Sequence, residues 1–172
     1  NRIVLRKIEK SDAHDICQYY SNENVYRYLD WNGPESIEKC GEIIDRWNKD
    51  YAKGWIIRFA IVDKETEKVI GTIFLNDFRE NRAEIGYELS EAYWRKGFMS
   101  EAMREVLKLA FHKFDLSRIQ AFVHKENESS IGLLKKFNFK KEGYLRQYEY
   151  HSVTGECADM FIFSLLKTEF YA

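Results

Sequence analysis

The sequence predicts an α+β fold, with a central mixed, mostly antiparallel sheet and helices on both faces. Two observations carry this expectation. Residues 82–124 run strand, amphipathic helix, strand, a passage that gives a parallel pair joined by a right-handed crossover. The segments on either side read as hairpins, and hairpins add antiparallel neighbours. At 172 residues with 45% hydrophobic and 16% aromatic content, the chain is long enough for one sizeable core and too short for two. A single domain over 1–172 is expected.

Residues 3–7 open the chain as a strand, and Ser11 or Asp12 is placed to cap a short helix through about residue 20. Gly33-Pro34-Glu35 marks a turn whose proline can start a second helix, in which Ile37, Cys40, Ile43, Ile44 and Trp47 recur at helical spacing. Residues 55–62 and 69–76 form a hairpin around the polar loop Asp63–Lys68. Strand 82–89 follows. In the helix at 98–114, Met99, Ala102, Met103, Val106, Leu109 or Ala110, and Phe114 make the apolar stripe, opposite Glu101, Arg104, Glu105 and Lys108. Strand 117–124, helix 128–137 and two strands near 142–150 and 157–166 complete the order. One proline and no repetitive or Ser/Gly-rich run leave no linker to place.

Composition narrows the function. The formal net charge is −1, from 27 basic and 28 acidic side chains that are intermixed along the chain, so no nucleic-acid-binding face is expected. Cys17, Cys40 and Cys157 are odd in number and widely spaced, which argues against a disulfide framework or a zinc site. The four histidines show no metal-ligand spacing. Without a basic-plus-apolar leader or a long apolar run, the expectation is a cytoplasmic protein with no membrane partner. A monomer and a homodimer are both compatible with this sequence.

The chemistry concentrates at AEIGYELSEAYWRKGFMS, residues 83–100, where a strand passes through a short loop into a long helix. The first amides of a helix lack intrahelical partners and the macrodipole adds positive potential there. Gly97 lets bare backbone close on a phosphate at that point, with Arg95 and Lys96 beside it. A plain surface turn remains the alternative for these residues taken alone.

Further on, strand RIQAFVH at 118–124 leads to NESSIGLLKKFNF at 127–139. Together these segments resemble the core of the GNAT superfamily of N-acetyltransferases: a strand "EIGY.L", a pyrophosphate loop of the form "W-G-K-G-[YF]-[AM]-[TS]-E-A", a strand, and "N-x-x-S…K-x-G-F". The nearest subgroup contains the ribosomal-protein alanine and serine N-terminal acetyltransferases with their polyamine- and antibiotic-modifying relatives. Other landmarks have counterparts in order: IVLRKI at the start, VYRYLDW at 25–31, VIGTIFL at 69–75, EGYL at 142–145 and GECADMFIFSLLKTEF at 155–170.

The resemblance implies acetyl-CoA as cofactor and a sheet whose two parallel strands splay apart. It implies that Arg95, Lys96, Gly97, Phe98, Met99 and Ser100 hold the pyrophosphate through their amides. In the same way Tyr87, Glu88 and Leu89 would meet the pantetheine arm across from Ile119 to Val123, with the amide of Leu89 facing the thioester oxygen. Asn127 would bond the arm and Ser130 lies one turn on, although both residue types also suit a helix N-cap. Arg95 stands where the subgroup often has glycine, and Trp94 occupies the Gln/Arg position of the wider superfamily motif. Asn138 stands where the pattern has glycine, and asparagine tolerates the left-handed conformation.

Alternation in 83–89 puts Glu84, Gly86 and Glu88 on one face and Ala83, Ile85, Tyr87 and Leu89 on the other, so the two glutamates flank a glycine hollow. Glu84 matches a glutamate proposed as general base in several relatives; the alternative is a structural carboxylate paired with Arg79, Arg82 or a cation of another strand. Leu134 replaces a tyrosine that protonates the leaving thiolate in many members, which leaves Ser130, a tyrosine of 144–150, or solvent for that role. Tyr26, Tyr28, Trp31 and Trp55 are candidates for the acceptor pocket, or else ordinary core aromatics.

The expected reaction is acetyl transfer to a primary amine by direct attack in a ternary complex. An α-amino group, with a pKa of about 7.7–8.0, is partly neutral at pH 7, whereas neutralising a lysine amine costs roughly 4–5 kcal/mol. The resemblance implies a protein or peptide N-terminal α-amine, such as that of a ribosomal protein, as acceptor, and the easier neutralisation of an α-amine favours it without saying which protein carries it. The alternatives are a polyamine or antibiotic acetyltransferase, for which Glu23, Asp30, Glu35, Asp77, Glu84 and Glu88 would have to converge, and a non-catalytic acyl-CoA-binding module.

Overall fold

A computed structural model describes residues 1–170. One seven-stranded sheet runs in the order β1 (Ile3–Lys7), β2 (Ile57–Asp63), β3 (Val69–Arg79), β4 (Arg82–Leu89), β5 (Arg118–His124), β7 (Cys157–Leu166) and β6 (Lys140–Tyr150). Every neighbouring pair is antiparallel except β4 and β5. The sheet is therefore mixed and mostly antiparallel, as the pattern of hairpins around one crossover requires.

Helices cover both faces. On one face lie α4 (Phe98–Lys108) and α5 (Glu128–Lys136), over a core that includes Ile73, Leu75, Ala83, Ile85, Met103, Phe111, Ile119 and Leu134. On the other, α1 (Ala13–Tyr20) and α3 (Ile37–Ala52) pack a second core around Ile16, Tyr19, Tyr20, Cys40, Ile44 and Ala60. A short α2 (Glu23–Tyr26) joins them, and α6 (Lys167–Phe170) follows β7. Burying each large apolar side chain contributes about 1.5–3 kcal/mol, so the two cores clamp the sheet between them.

Several local expectations are corrected. Neither Ser11 nor Asp12 caps α1 through its side chain. A 3₁₀ turn at Lys10–Asp12 precedes it, and the Asp12 carboxylate accepts from the Glu9 backbone amide and, in two charge-assisted bonds, from the Arg6 guanidinium, which are stronger than a lone cap bond. Helix α3 starts two residues after the proline-set turn, because Ser36 accepts from the Lys39 amide at 3.2 Å and is the N-cap. Strand β2 begins at Ile57, which leaves Trp55 on the surface with Lys53 above its ring. The short α2, capped by Asn22, has no apolar periodicity to announce it.

The long helix also differs from expectation. It changes to a π turn over Leu109–Lys113, with the Phe114 amide reaching the Leu109 carbonyl at 3.1 Å. Widening the turn rotates the apolar stripe, so that Leu107, Ala110 and Phe111 are buried while Phe114 is only half-buried.

Candidate active site

The parallel pair β4/β5 is joined only at Arg82–Glu84 with Arg118–Gln120. Beyond Glu84 the strands part. The Ser90 amide donates to Ile70 on β3 at 2.7 Å, and alternation along an antiparallel ladder then turns the amides of Leu89 and Tyr87 the opposite way, into the gap. The Leu89 carbonyl is capped by the Trp94 indole nitrogen at 2.7 Å, which leaves the Leu89 N–H as the group facing the opening. The Glu88 backbone pairs on the β3 side, opposite Thr72, and the residue also lines the groove that opens from the gap.

A groove of about 450 Å³ continues from this gap to the start of α4, lined by Leu89, Arg95, Gly97, Phe98, Met99 and Ser100 and, from α5, by Asn127, Ser130 and Lys136. Gly97 (φ 86°) precedes the helix in the left-handed region, where a side chain is strained. The first helical bond is donated by Glu101 to the Gly97 carbonyl, so the amides of Phe98, Met99 and Ser100 are left pointing outward. Lys136 donates to the Ser100 hydroxyl at 3.1 Å and brings a positive charge to that helix start. These features fit a diphosphate and an amide-rich arm. Arg95 also has positive φ (57°), the backbone reason for a glycine at this place in the subgroup. Lys96 does not line the groove; Arg2 holds its carbonyl at 2.8 Å, and its ammonium lies over the Tyr93 ring.

A second cavity, of about 640 Å³, opens on the opposite side of the gap. Tyr28, Trp31 and Trp47 line it, together with Glu84, Glu88 and Glu149. The Trp31 ring packs at a tilt against Tyr20, with centroids 5.1 Å apart, and the Tyr28 ring against His124, 5.0 Å apart. Tyr26, expected in the acceptor pocket, packs against the second core instead. The tip of the β6–β7 hairpin closes one side of the cavity, with the Ser152 amide and hydroxyl both donating to the Asp30 carbonyl.

The hollow over Gly86 is filled by Phe74: a Cβ on Gly86 would lie 2.3 Å from that ring. The Arg58 guanidinium is sandwiched between Phe74 and Trp47, 3.8 and 4.3 Å from the ring centroids. It donates to Thr72 and, at 3.4 Å, to Glu88, which also accepts from the Thr72 and Tyr19 hydroxyls. Glu88 thus belongs to a buried, paired network.

Glu84 is different. Arg79 and Arg82 both turn to Asp77 rather than to Glu84, and no described residue hydrogen-bonds the Glu84 carboxylate. Burial first, then the nearby charges of Asp77 and Glu149, push its pKa up to about 7, with Arg82 opposing. Glu149 is itself raised by burial and by Asp30. Asn127 caps α5, its side chain accepting from the Ser130 amide at 3.0 Å, and the Ser130 hydroxyl meets the Tyr87 hydroxyl at 2.7 Å. Tyr28, Tyr87, Asn127 and Ser130 line both the groove and the cavity, so the two meet there.

Four groups in this arrangement escape a reading of the sequence. Arg58, Glu149, Lys136 and the Tyr87 hydroxyl come from elements far apart in the chain. Only Lys136 left a signal, as part of the basic last turn of α5.

The sequence profile of the acetyltransferase (GNAT) domain matches residues 2–140. The chain belongs to the GNAT acetyltransferase family. It is an acetyl-CoA-dependent N-acetyltransferase, similar over 98% of its length, at 41% identity, to 95% of an uncharacterized N-acetyltransferase p20 of Bacillus licheniformis. A ribosomal protein uS5-alanine N-acetyltransferase of Escherichia coli is 26% identical over 86% of this GNAT chain and 80% of its own. The crystal structure of a GNAT-family acetyltransferase from Bacillus anthracis superposes with a TM-score of 0.84 at 26% identity, covering 98% of this chain and 97% of the other. No described helix is long and apolar enough to cross a membrane.

Proposed function

We propose that this acetyltransferase modifies the α-amino group of a protein or peptide N-terminus in the cytoplasm, a ribosomal protein being the leading candidate. The observation that carries the reading is the Glu84 carboxylate, unpaired in the second cavity and tuned to about 7, close to the pKa of an α-amine. In this reading Glu84 takes the proton as the amine attacks. The amides of Arg95 and of Gly97 to Ser100 and the Lys136 ammonium hold the diphosphate, Tyr87 and Leu89 present gap-facing amides to the arm and the thioester oxygen, and Asn127 offers its amide nitrogen. Trp31 and Tyr28 form the acceptor wall.

A polycationic acceptor is less well served. Asp30, Glu84, Glu88 and Glu149 do line the cavity, but so do Arg46 and Arg58, and Glu88 is already paired. Glu23 and Glu35 are not among the lining residues. The similarity to the E. coli uS5-alanine enzyme supports the N-terminal reading. The test is release of free coenzyme A thiol from acetyl-CoA across N-terminal peptides, polyamines and aminoglycosides. Preferred turnover of a peptide bearing a free α-amine is expected; turnover of polyamines alone would overturn the assignment.

A further inference from the structure

The Tyr87 hydroxyl lies where the groove for the cofactor meets the acceptor cavity, and it reaches across from β4 to Ser130 on α5 at 2.7 Å. Leu134, one helical turn beyond Ser130, is fully buried in the core and lines neither space. No acid can come from that position. A tyrosine hydroxyl nevertheless stands beside the same helix face, supplied by the strand rather than by the helix.

We propose that Tyr87 is a positioning residue that donates its hydrogen to the Ser130 oxygen and so directs the Ser130 hydroxyl hydrogen at the thioester sulfur. The proposal rests on the acetyltransferase reading of this site. Two observations support that direction of donation. Burial pushes the Tyr87 phenol well above its ordinary value, so it keeps its proton at working pH. The neighbouring Asn127 oxygen is already taken by the Ser130 amide. With its oxygen accepting from Tyr87, Ser130 has its own hydrogen left for the opening between the two spaces.

The step balances without a proton from either hydroxyl. A bond forms between the amine nitrogen and the carbonyl carbon, the carbon–sulfur bond breaks, and the electron pair goes to sulfur. Glu84 receives the amine's proton. Ser130 stabilises the departing thiolate by a charge-assisted hydrogen bond, and Tyr87 holds Ser130 in that orientation.

The test is a spectroscopic titration of the coenzyme A thiol bound to the protein, read as thiolate absorbance, alongside steady-state kinetics. The charged and titratable groups lining the two spaces are Asp30, Arg46, Arg58, Glu84, His124 and Glu149 on the cavity side, Arg95, Glu128 and Lys136 on the groove side, and Glu88 on both. All are unchanged in the variants compared, so they cancel in the difference. Tyr87→Phe should raise the midpoint of the bound thiol by roughly 0.5–1 pH unit and lower kcat by roughly 3- to 10-fold, the scale of one hydrogen bond, with the KM for acetyl-CoA nearly unchanged. In a Ser130→Ala background the same substitution should do almost nothing further.

An unchanged thiol midpoint in Tyr87→Phe, or a full additional loss in the Ser130→Ala background, overturns the proposal. Should Tyr87→Phe fail to bind coenzyme A, Ser130→Ala alone decides: its midpoint must rise by at least as much. If the wild-type protein acetylates no amine, the acetyltransferase reading falls, and the titration still decides separately whether Tyr87 and Ser130 act on the sulfur.

Discussion

Glu84 and Glu88 lie four residues apart on one face of the same strand, and their surroundings separate them completely. Glu88 is enclosed by Arg58, Thr72 and Tyr19, and a buried pair of this kind is costly to break from one side. Glu84 has only like charges and desolvation around it, with Arg82 as a weak counterweight. Because its folded pKa is raised above the ordinary 4.5 to about 7, its protonated form favours the fold. Stability from this group is present at low pH and is lost as pH rises from about 4.5 through about 7, by up to about 3 kcal/mol at pH 8. Glu84→Gln cannot ionise, so it should be more stable than wild type at pH 8 and similar at pH 4, which chemical denaturation at the two pH values would show. In the same variant kcat/KM at neutral pH should fall by about 10²–10⁴, and the deficit should shrink as pH rises and the acceptor amine loses its proton unaided. A loss below threefold at every pH would remove Glu84 from the reaction. The face shared by Glu84, Gly86 and Glu88 was legible from period-two alternation, since β4 has no bulge within 83–89. Their different partners were not, because Arg58 and Thr72 lie on strands whose register a local pattern does not specify.

At the scale of elements, the cofactor groove depends on three places where backbone departs from regular structure: the splay after Glu84, the left-handed residues Arg95 and Gly97, and the end of α5. The last closes as a Schellman motif, the Asn138 amide bonding Lys135 and the Phe139 amide bonding Leu134, with Asn138 at φ 62°. The sequence announced this end through Asn138 and announced the loop through Gly97. It could not announce the π turn after α4, because Leu109 and Ala110 are equally apolar and the stripe can pass through either. Gly97→Val should expose the loop's requirement. A branched side chain at φ 86°, with Arg2 only 3.3 Å from the position of its Cβ, strains the turn by about 1–2 kcal/mol and crowds the amides of Phe98 and Met99. Calorimetry should show acetyl-CoA binding at least tenfold weaker in a variant that still unfolds cooperatively. Unaltered affinity would place the diphosphate elsewhere.

For the whole molecule, the two cores sit on opposite faces of one sheet, and the gap between β4 and β5 passes between them. The sheet order followed from one crossover and its flanking hairpins, and so was within reach of the sequence; the meeting of groove and cavity at Tyr87 and Ser130 was not, since it depends on how far the strands part. Filling that gap should couple to the stability of the whole domain. Coenzyme A would supply backbone-like partners to β4, charge neutralisation to the start of α4 and contacts to α5, three elements otherwise held by the core beneath and by the Tyr87–Ser130 and Lys136–Ser100 hydrogen bonds. Ligand that binds the folded state alone stabilises it by about 2.7 kcal/mol at a hundredfold excess over Kd. For a domain of this length that corresponds to a rise of roughly 5–10 °C in Tm, measurable by scanning calorimetry with acetyl-CoA or coenzyme A. Adenosine 3′,5′-bisphosphate, which lacks the pantetheine arm, should give a smaller rise, because it reaches α4 but not the open edge of β4. Equal shifts for the two ligands would mean that the splayed strands contribute nothing to binding, and no shift at millimolar coenzyme A would remove the groove as the cofactor site.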